Sequence, residues 1–291
     1  AIFSPGLVSA LAKEDPLTAT IWAEVLRPVG GHLAKASKDH CQRDMVSETE
    51  RIIAASLFLR FGAADSEVVT PEALCDLLLT AESEIVRILI PAAQKRNQEV
   101  LPIIEAESKR LIPLPPDDTG KDRLIRRANA LEALFLLGIT EPFWDSLEEI
   151  EDPRTGSLLS ERITRLLPDA PSAVAELNGS RDRPGKRHAI LSAFPRMAAA
   201  NGGATKVLVS KAREVYATDL DPGVHSMAEW ALRHLGESAR DGGVEPPPGA
   251  GWSHGPVGLT MIALRNPGTF LIGSPESEIG RDSRERQREV K

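Results

Sequence analysis

The sequence is poor in cysteine and in aromatic residues, has no long apolar run and holds no complete catalytic motif. Each shortage excludes something. Two cysteines, Cys41 and Cys75, in 291 residues cannot build a disulfide framework and lack metal-ligand spacing. They read as ordinary small residues, with Cys75 on an apolar helix face. Aromatics make up only 4% of the chain, with one tyrosine. Together with abundant Ala and Leu, that mix favours helices over sheets. No run approaches a membrane span and no signal peptide opens the chain, so direct membrane insertion is not expected. The formal net charge of −7 argues against nonspecific binding to nucleic acid or to an anionic membrane. Gly-x-Ser-x-Gly is absent. So are a Gly-rich loop ahead of a Val-Ala-x-Lys strand, His-Arg-Asp and Asp-Phe-Gly, which removes the usual nucleophile elbow and the kinase core.

What is present is a helix with both ends signed. Asp219 to Gly236 offers Asp221 as N-cap, Pro222 at the first helical position and Gly236 to close the last turn. Val224, Met227, Ala228, Ala231, Leu232 and Leu235 fall on one face. The pattern recurs: a basic residue, then a small Ala, a large apolar residue, a second apolar residue and Gly. His225, Ala228, Leu232, Leu235 and Gly236 fit it. So do Arg51, Ala54, Phe58, Phe61 and Gly62, and Arg127, Ala130, Leu134, Leu137 and Gly138. A fainter relative begins at Arg187, with Ile190 and Phe194, and is interrupted by Pro195. The copies starting at Arg51 and Arg127 lie about two HEAT or armadillo repeats of roughly 40 residues apart. The alanine has a physical reason, since it lets a neighbouring helix approach closely. Any amphipathic helix closing on glycine shares part of this pattern.

With 42% apolar residues there is material for a core, and the length allows one long domain or two ordinary ones. Punctuation by Pro, Gly and capping residues predicts helices over 5–13, 16–28, 32–40, 47–62, 70–79, 84–96, 98–111, 127–138, 157–167, 171–178 and 203–217, and over 222–235. Shorter or partial helices begin at Glu141 and near Arg187. Trp22, Val25 and Leu26 form the expected inward face of the second helix. Ile85, Ile88, Leu89 and Ala92 do so in the sixth, where Pro91 should kink it, and Val207, Leu208, Ala212 and Val215 over 203–217. Pro113 to Asp118 reads as a loop. About a dozen helices with short connections predict a solenoid of stacked antiparallel pairs over residues 1–238.

After Gly236 the texture changes. Residues 239–256 are a Pro/Gly-rich linker with little capacity to pack. Leu259–Leu264 and Thr269–Gly273 are strand candidates around Asn266-Pro-Gly268, predicting a hairpin. A hairpin alone is marginal in water, so it should belong to a sheet that the chain does not supply. The chain begins at Ala1 without Met and stops at Lys291 inside a strand-like run, as a piece of something longer would.

Gly258-Leu-Thr-Met-Ile, Pro267-Gly-Thr-Phe-Leu-Ile-Gly-Ser-Pro-Glu-Ser-Glu, Gly280-Arg-Asp and Glu285-Arg-Gln-Arg-Glu-Val together resemble the opening of the formylglycine-generating, or sulfatase-modifying-factor, domain. Ile272 stands where that family usually has Met. The resemblance covers 257–291 only. Preceded by a helical-repeat segment, it is similar to large multidomain bacterial Ser/Thr protein kinases that end in such a domain. The reactive cysteines of that family belong to its C-terminal part, so the resemblance carries no copper or calcium ligand and no catalytic residue onto this chain. Cys41 and Cys75 match no family motif.

The remaining candidates are sparse. The histidines are His32, His40, His188, His225, His234 and His254. His225 and His234 do not share a helical face as an i, i+4 metal pair would. Ser180 to His188 is a charged loop running into a helix, more a solvated stretch than a phosphate patch. Glu148, Glu149, Glu151 and Asp152 form a run that reads as a solvated surface. Trp22, Trp144 and Trp230 are expected in the core. The sequence therefore predicts a mainly α, HEAT- or armadillo-like superhelix over 1–238, the linker 239–256, and 257–291 as the hairpin-bearing start of an incomplete second domain. It assigns no catalytic, cofactor-binding or metal residue. It points to a non-catalytic scaffold or spacer with a protein partner on the concave face. The alternative is a regulatory part of a formylglycine-generating-type oxidoreductase or of a Ser/Thr kinase whose catalytic domains lie outside this chain.

Overall fold

The computed structural model describes residues 4–43, 45–62, 69–110, 118–149, 153–238, 244–255, 259–262, 268–275, 282 and 284–290. Among them the chain is mainly helical and divides into two compact units, one ending at Ser146 and the other beginning at Leu147. The first unit holds α1 (Ser4–Leu11), α2 (Pro16–Val25), α3 (Gly30–Cys41), α4 (Glu48–Gly62), α5 (Pro71–Thr80), α6 (Ser83–Lys95), α7 (Asn97–Ser108), α8 (Asp118–Leu136) and α9 (Glu141–Ser146). The second holds α10 (Pro153–Leu166), α11 (Ala170–Asn178), α12 (Pro184–Ala200), α13 (Thr205–Thr218) and α14 (Pro222–His234), then four three-residue strands: β1 (Trp252–His254), β2 (Thr260–Ile262), β3 (Phe270–Ile272) and β4 (Arg288–Val290). The predicted loop at 113–118 falls almost wholly outside the described residues.

Five helix starts follow from local chemistry. Asp15, Thr70, Asp169 and Asp221 each accept a backbone N–H of the first turn, and each is followed within two residues by Pro. Ser47 and Glu50 make the predicted capping box at α4. α6 and α12 run through Pro91 and Pro195 to Lys95 and Ala200. Packing of the buried residues on both sides of each proline, such as Leu89 and Ala93 or Phe194 and Met197, offsets the hydrogen bond that proline removes.

The recurring pattern has a physical role in all three copies. Ala54, Ala130 and Ala228 are fully buried, as are Phe58, Leu134 and Leu232. The leading basic residue reaches back to a carbonyl at the end of the preceding helix or, for Arg51, in the connection just after it. Arg51 donates to the Arg43 carbonyl (3.1 Å), Arg127 to the Ser108 carbonyl (3.1 Å) and His225 to the Tyr216 carbonyl (2.8 Å). Arg127 and His225 thus satisfy acceptors that the ends of α7 and α13 leave open. Gly138 and Gly236 adopt positive φ (90° and 81°), so the next N–H turns back to the carbonyls of Leu134 (2.9 Å) and Leu232 (3.0 Å). Enlarging Ala54, Ala130 or Ala228 to Leu should overpack the contact and cost about 1–3 kcal/mol, read as a lowered melting temperature. Unchanged melting in all three variants would remove the alanines from that role.

α8 is the polar hinge of the first unit's interior. Arg127 closes α7 as described. Asn129 Nδ2 donates to the carbonyls of Leu79 (2.9 Å) and Ala81 (2.7 Å) at the end of α5. Buried Glu132 accepts from the Ser83 hydroxyl at the start of α6, where the helix dipole favours a carboxylate. Around them pack Leu74, Leu77, Leu78, Ile85, Leu89, Val100 and Ile104. Trp144 sits edge-on to Phe135 and Phe143, with centroids 5.5 and 5.2 Å away, within the range of favourable aromatic pairs.

Several expectations are corrected. α2 buries Ala19 and Ala23 instead of Trp22 and Val25, which are 48% and 61% exposed. The small residues let α2 lie close to α4, and that turns the large ones outward. Val207 is likewise exposed, while Leu208, Ala212 and Val215 are buried. The predicted hairpin between the last two strand candidates does not form. β2 pairs antiparallel with β1, Met261 opposite Ser253, and β3 pairs with β4, Leu271 opposite Glu289. Pairing of β2 to β1 places the β ribbon against α14. Part of the expected linker is also docked: Ala250 and Trp252 are buried. Residues 239–243 of it, and 263–267 around the predicted turn, lie outside the described residues.

Candidate functional site

The most developed concavity among the described residues lies in the second unit. The end of α11 supplies Leu177 and Asn178, and the following loop Arg181 and Asp182. α12 contributes Pro184 and Arg187, and α13 Lys211, Glu214, Val215 and Thr218. The corner between α13 and α14 adds Asp219, Leu220 and Asp221. The volume is about 790 Å³, within the size range of ligand clefts. A shallower extension of about 390 Å³ shares Asn178, Lys211 and Glu214 and adds Val174, Lys206, Val207 and Ser210. Together they form a groove along α11 and α13, floored by buried Leu177 and Val215.

The rim is mixed in charge: Arg181, Arg187 and Lys211 face Asp182, Glu214, Asp219 and Asp221. Much of that charge is internally matched. Arg187 is ion-paired with Asp219, which is buried, and Lys211 lies 2.6 Å from Glu214. Asp221 caps α14 through the Val224 N–H (2.9 Å). The stretch from Ser180 to His188, expected as a solvated loop, therefore provides part of a cleft wall, and its Arg187 and Lys186 are matched by Asp219 of the 219–221 corner and by Glu176 of α11. Only the tertiary structure brings those together.

Behind the 219–221 corner lies a second cluster that sequence reasoning missed. His225 is fully buried and stacks on Tyr216 (centroids 4.4 Å apart) and on Trp252 (3.5 Å), at 20° to each. Its Nδ1 bonds the Tyr216 carbonyl. Trp252 donates its indole N–H to the Asp219 carbonyl (2.9 Å), and the Gly251 N–H bonds the Leu220 carbonyl (2.8 Å). His254 lies 5.8 Å from His225 by ring centroids. Burial pushes the His225 imidazole below its ordinary pKa, against the pull of the Tyr216 carbonyl, Glu229 and Asp219. The lone tryptophan after a glycine-rich stretch was the available signal, since a large aromatic in a polar segment usually has a seat to fill.

The other candidates do not assemble into chemistry. Cys41 and Cys75 are buried, and burial pushes their thiols up to about 12 and about 11, so neither supplies a thiolate nucleophile at neutral pH. His234 is exposed and bonds the Trp230 carbonyl (2.8 Å), well apart in role from buried His225. Glu148 accepts the Gly185 and Lys186 N–H groups, both at 2.9 Å, and so caps α12; Glu151 and Asp152 lie outside the described residues. Glu48, Glu82 and Glu84 converge, but two of the three are exposed and Glu82 is ion-paired with Arg51. That is the arrangement of a solvated acidic patch. No helix of the described residues is long and apolar enough to cross a membrane.

Set against known proteins, the chain matches no protein family, no curated protein and no solved structure. The class that fold and site define is a mainly α protein with a mixed-charge groove in its second unit.

Proposed function

We propose that the chain is a non-catalytic helical-repeat scaffold that holds an extended polypeptide segment of a protein partner in the groove along α11 and α13. The observation that carries this reading is the groove itself: exposed apolar side chains at Val207 and Leu220 above buried Leu177 and Val215, rimmed by cations and carboxylates in near balance. A polyanion would meet Asp182, Glu214 and Asp221 as repulsion, whereas a peptide presents apolar side chains and charges of both signs. The bond from each repeat's leading basic residue to the end of the preceding helix, or to the connection after it, supports the HEAT-like part of the proposal, because such arrays bind partners along surfaces built from successive helices. The exposed apolar residues Met261, Ile262, Phe270, Leu271 and Ile272 support the view that residues 257–291 start a second domain of the sulfatase-modifying-factor type.

The test is selection of peptides from a random library on the full chain, followed by their affinities for Asn178→Trp. Asn178 lines both parts of the groove and is exposed, so the indole would fill the groove without entering the core. Selected peptides should bind this variant at least about tenfold more weakly, a loss of about 1.4 kcal/mol. Equal binding to both proteins would place the interaction elsewhere and remove the groove from the function.

A further inference from the structure

We propose that the docking of residues 250–254 onto α13 and α14 is a proton-sensitive latch, closed by neutral His225 and released when His225 is protonated. The inference is independent of what the groove binds.

The geometry fixes the tautomer. The Tyr216 carbonyl can only accept, so the proton of the neutral ring is on Nδ1, 2.8 Å away. Nε2 is then the bare nitrogen, and it is buried with no hydrogen-bond partner among the described residues. Protonation must place an N–H there, without an acceptor and out of contact with water. The first copy of the repeat shows how a cation at this position is otherwise met, because Arg51 ion-pairs with Glu82 while clamping the Arg43 carbonyl. Among the described residues His225 has no such counterpart at Nε2.

Forces of both signs act on the charged ring. Stacking on Trp252 and Tyr216 favours an imidazolium, as do Asp219 and Glu229 nearby. Asp219, however, is ion-paired with Arg187 from α12, and Glu229 lies 3.6 Å from Arg233 on its own helix, which cancels much of their pull. His254 from β1 opposes the charge. Full burial with an unmet N–H therefore decides, and the docked ring resists protonation. When the segment lifts, Trp252 uncovers His225 and water can solvate the cation.

The sign follows. The docked ring has a lower pKa than the undocked one, so docking is at full strength above about 6.5, the ordinary value for histidine. It weakens as pH falls through that value, by up to about tenfold in the docking equilibrium per pH unit. Release also loosens the corner carrying Asp219, Leu220 and Asp221, because Trp252 and Gly251 hold its carbonyls. That corner is one wall of the groove.

The test is hydrogen exchange on the full chain at pH 7.5, 6.5 and 5.5, corrected for intrinsic rates. Protection of the Gly251 amide should fall at least about fivefold from pH 7.5 to 5.5, with α12 unchanged. His225→Gln retains a donor for the Tyr216 carbonyl and should abolish the pH dependence; His254→Gln should retain it. Should His225→Gln leave the segment undocked at every pH, the wild-type chain still decides by NMR. The His225 ring should titrate below about 6.5, with the Trp252 indole N–H signal changing at the same midpoint. Protection independent of pH, dependence surviving in His225→Gln, dependence lost in His254→Gln, or an indole signal that ignores the His225 titration would each overturn the latch.

Discussion

Replacing Asn129 with Leu is expected to destabilise the first unit by about 3 kcal/mol, since each buried carbonyl left without a donor costs about 1–3 kcal/mol. The amide of Asn129 serves two such carbonyls, Leu79 and Ala81, where α5 ends. The residue is fully buried, so water cannot replace it without opening the packing of α5 against α8. Leucine matches the volume and isolates the hydrogen bonds from the cavity effect. Asn129→Asp should be at least as damaging, because it turns a carboxylate oxygen toward two carbonyl oxygens. Urea unfolding followed by circular dichroism measures both, with Asn178→Ala as an exposed control inside about 0.5 kcal/mol of wild type. A loss below that margin for Asn129→Leu would mean that the end of α5 finds other donors.

Gly185→Ala should have a comparable effect in the second unit, about 2–4 kcal/mol, from overpacking and from the loss of a cap. A Cβ at this position would lie 2.2 Å from the Leu147 carbonyl oxygen and 2.9 Å from Glu148 Oε2. The backbone there approaches too closely for any side chain. Making room must push Leu147 and Glu148 away from the start of α12, which breaks the two bonds from the Gly185 and Lys186 N–H groups. Glu148→Ala removes those bonds without the steric clash and should cost less, about 1 kcal/mol. The ordering of the two variants in thermal unfolding is the measurement. If Gly185→Ala melts with wild type, the close approach of Leu147 is not a feature of the protein in solution.

The two residues differ in how far they could be read in advance. Asn129 lies within the second marked helix, one position before the repeat alanine. Its sequence shows only that a polar side chain occupies a helix that also carries Leu131 and Leu134. Gly185 follows Pro184 in a charged stretch and reads as punctuation. Nothing local reveals that Glu148, far back in the chain, would return to cap this helix. A carboxylate at a helix start is a familiar pairing, but which carboxylate arrives is decided by how the chain between them folds.

What the sequence determined by itself is the succession of helices and several of their ends. Caps such as Asp221 and Thr70, prolines at first helical positions and the glycines after α8 and α14 act within a turn or two, so their effect is written in adjacent residues. The buried alanines of the recurring pattern were legible for a similar reason: three copies with the same spacing show a constraint that one copy would not. The tertiary structure alone decided which face of each helix goes inward when small and large apolar residues compete. Close approach to α4 chose Ala19 and Ala23 over Trp22 and Val25. It alone decided strand pairing, because β1 and β4 could reach β2 and β3 across gaps that local turn chemistry does not encode. The clustering of His225, Tyr216 and Trp252, and of charged residues from the loop after α11, from α12, from α13 and from the following corner, was likewise decided there. Those contacts join residues far apart in sequence, and their free energy comes from burial and desolvation that exist only once the helices have packed.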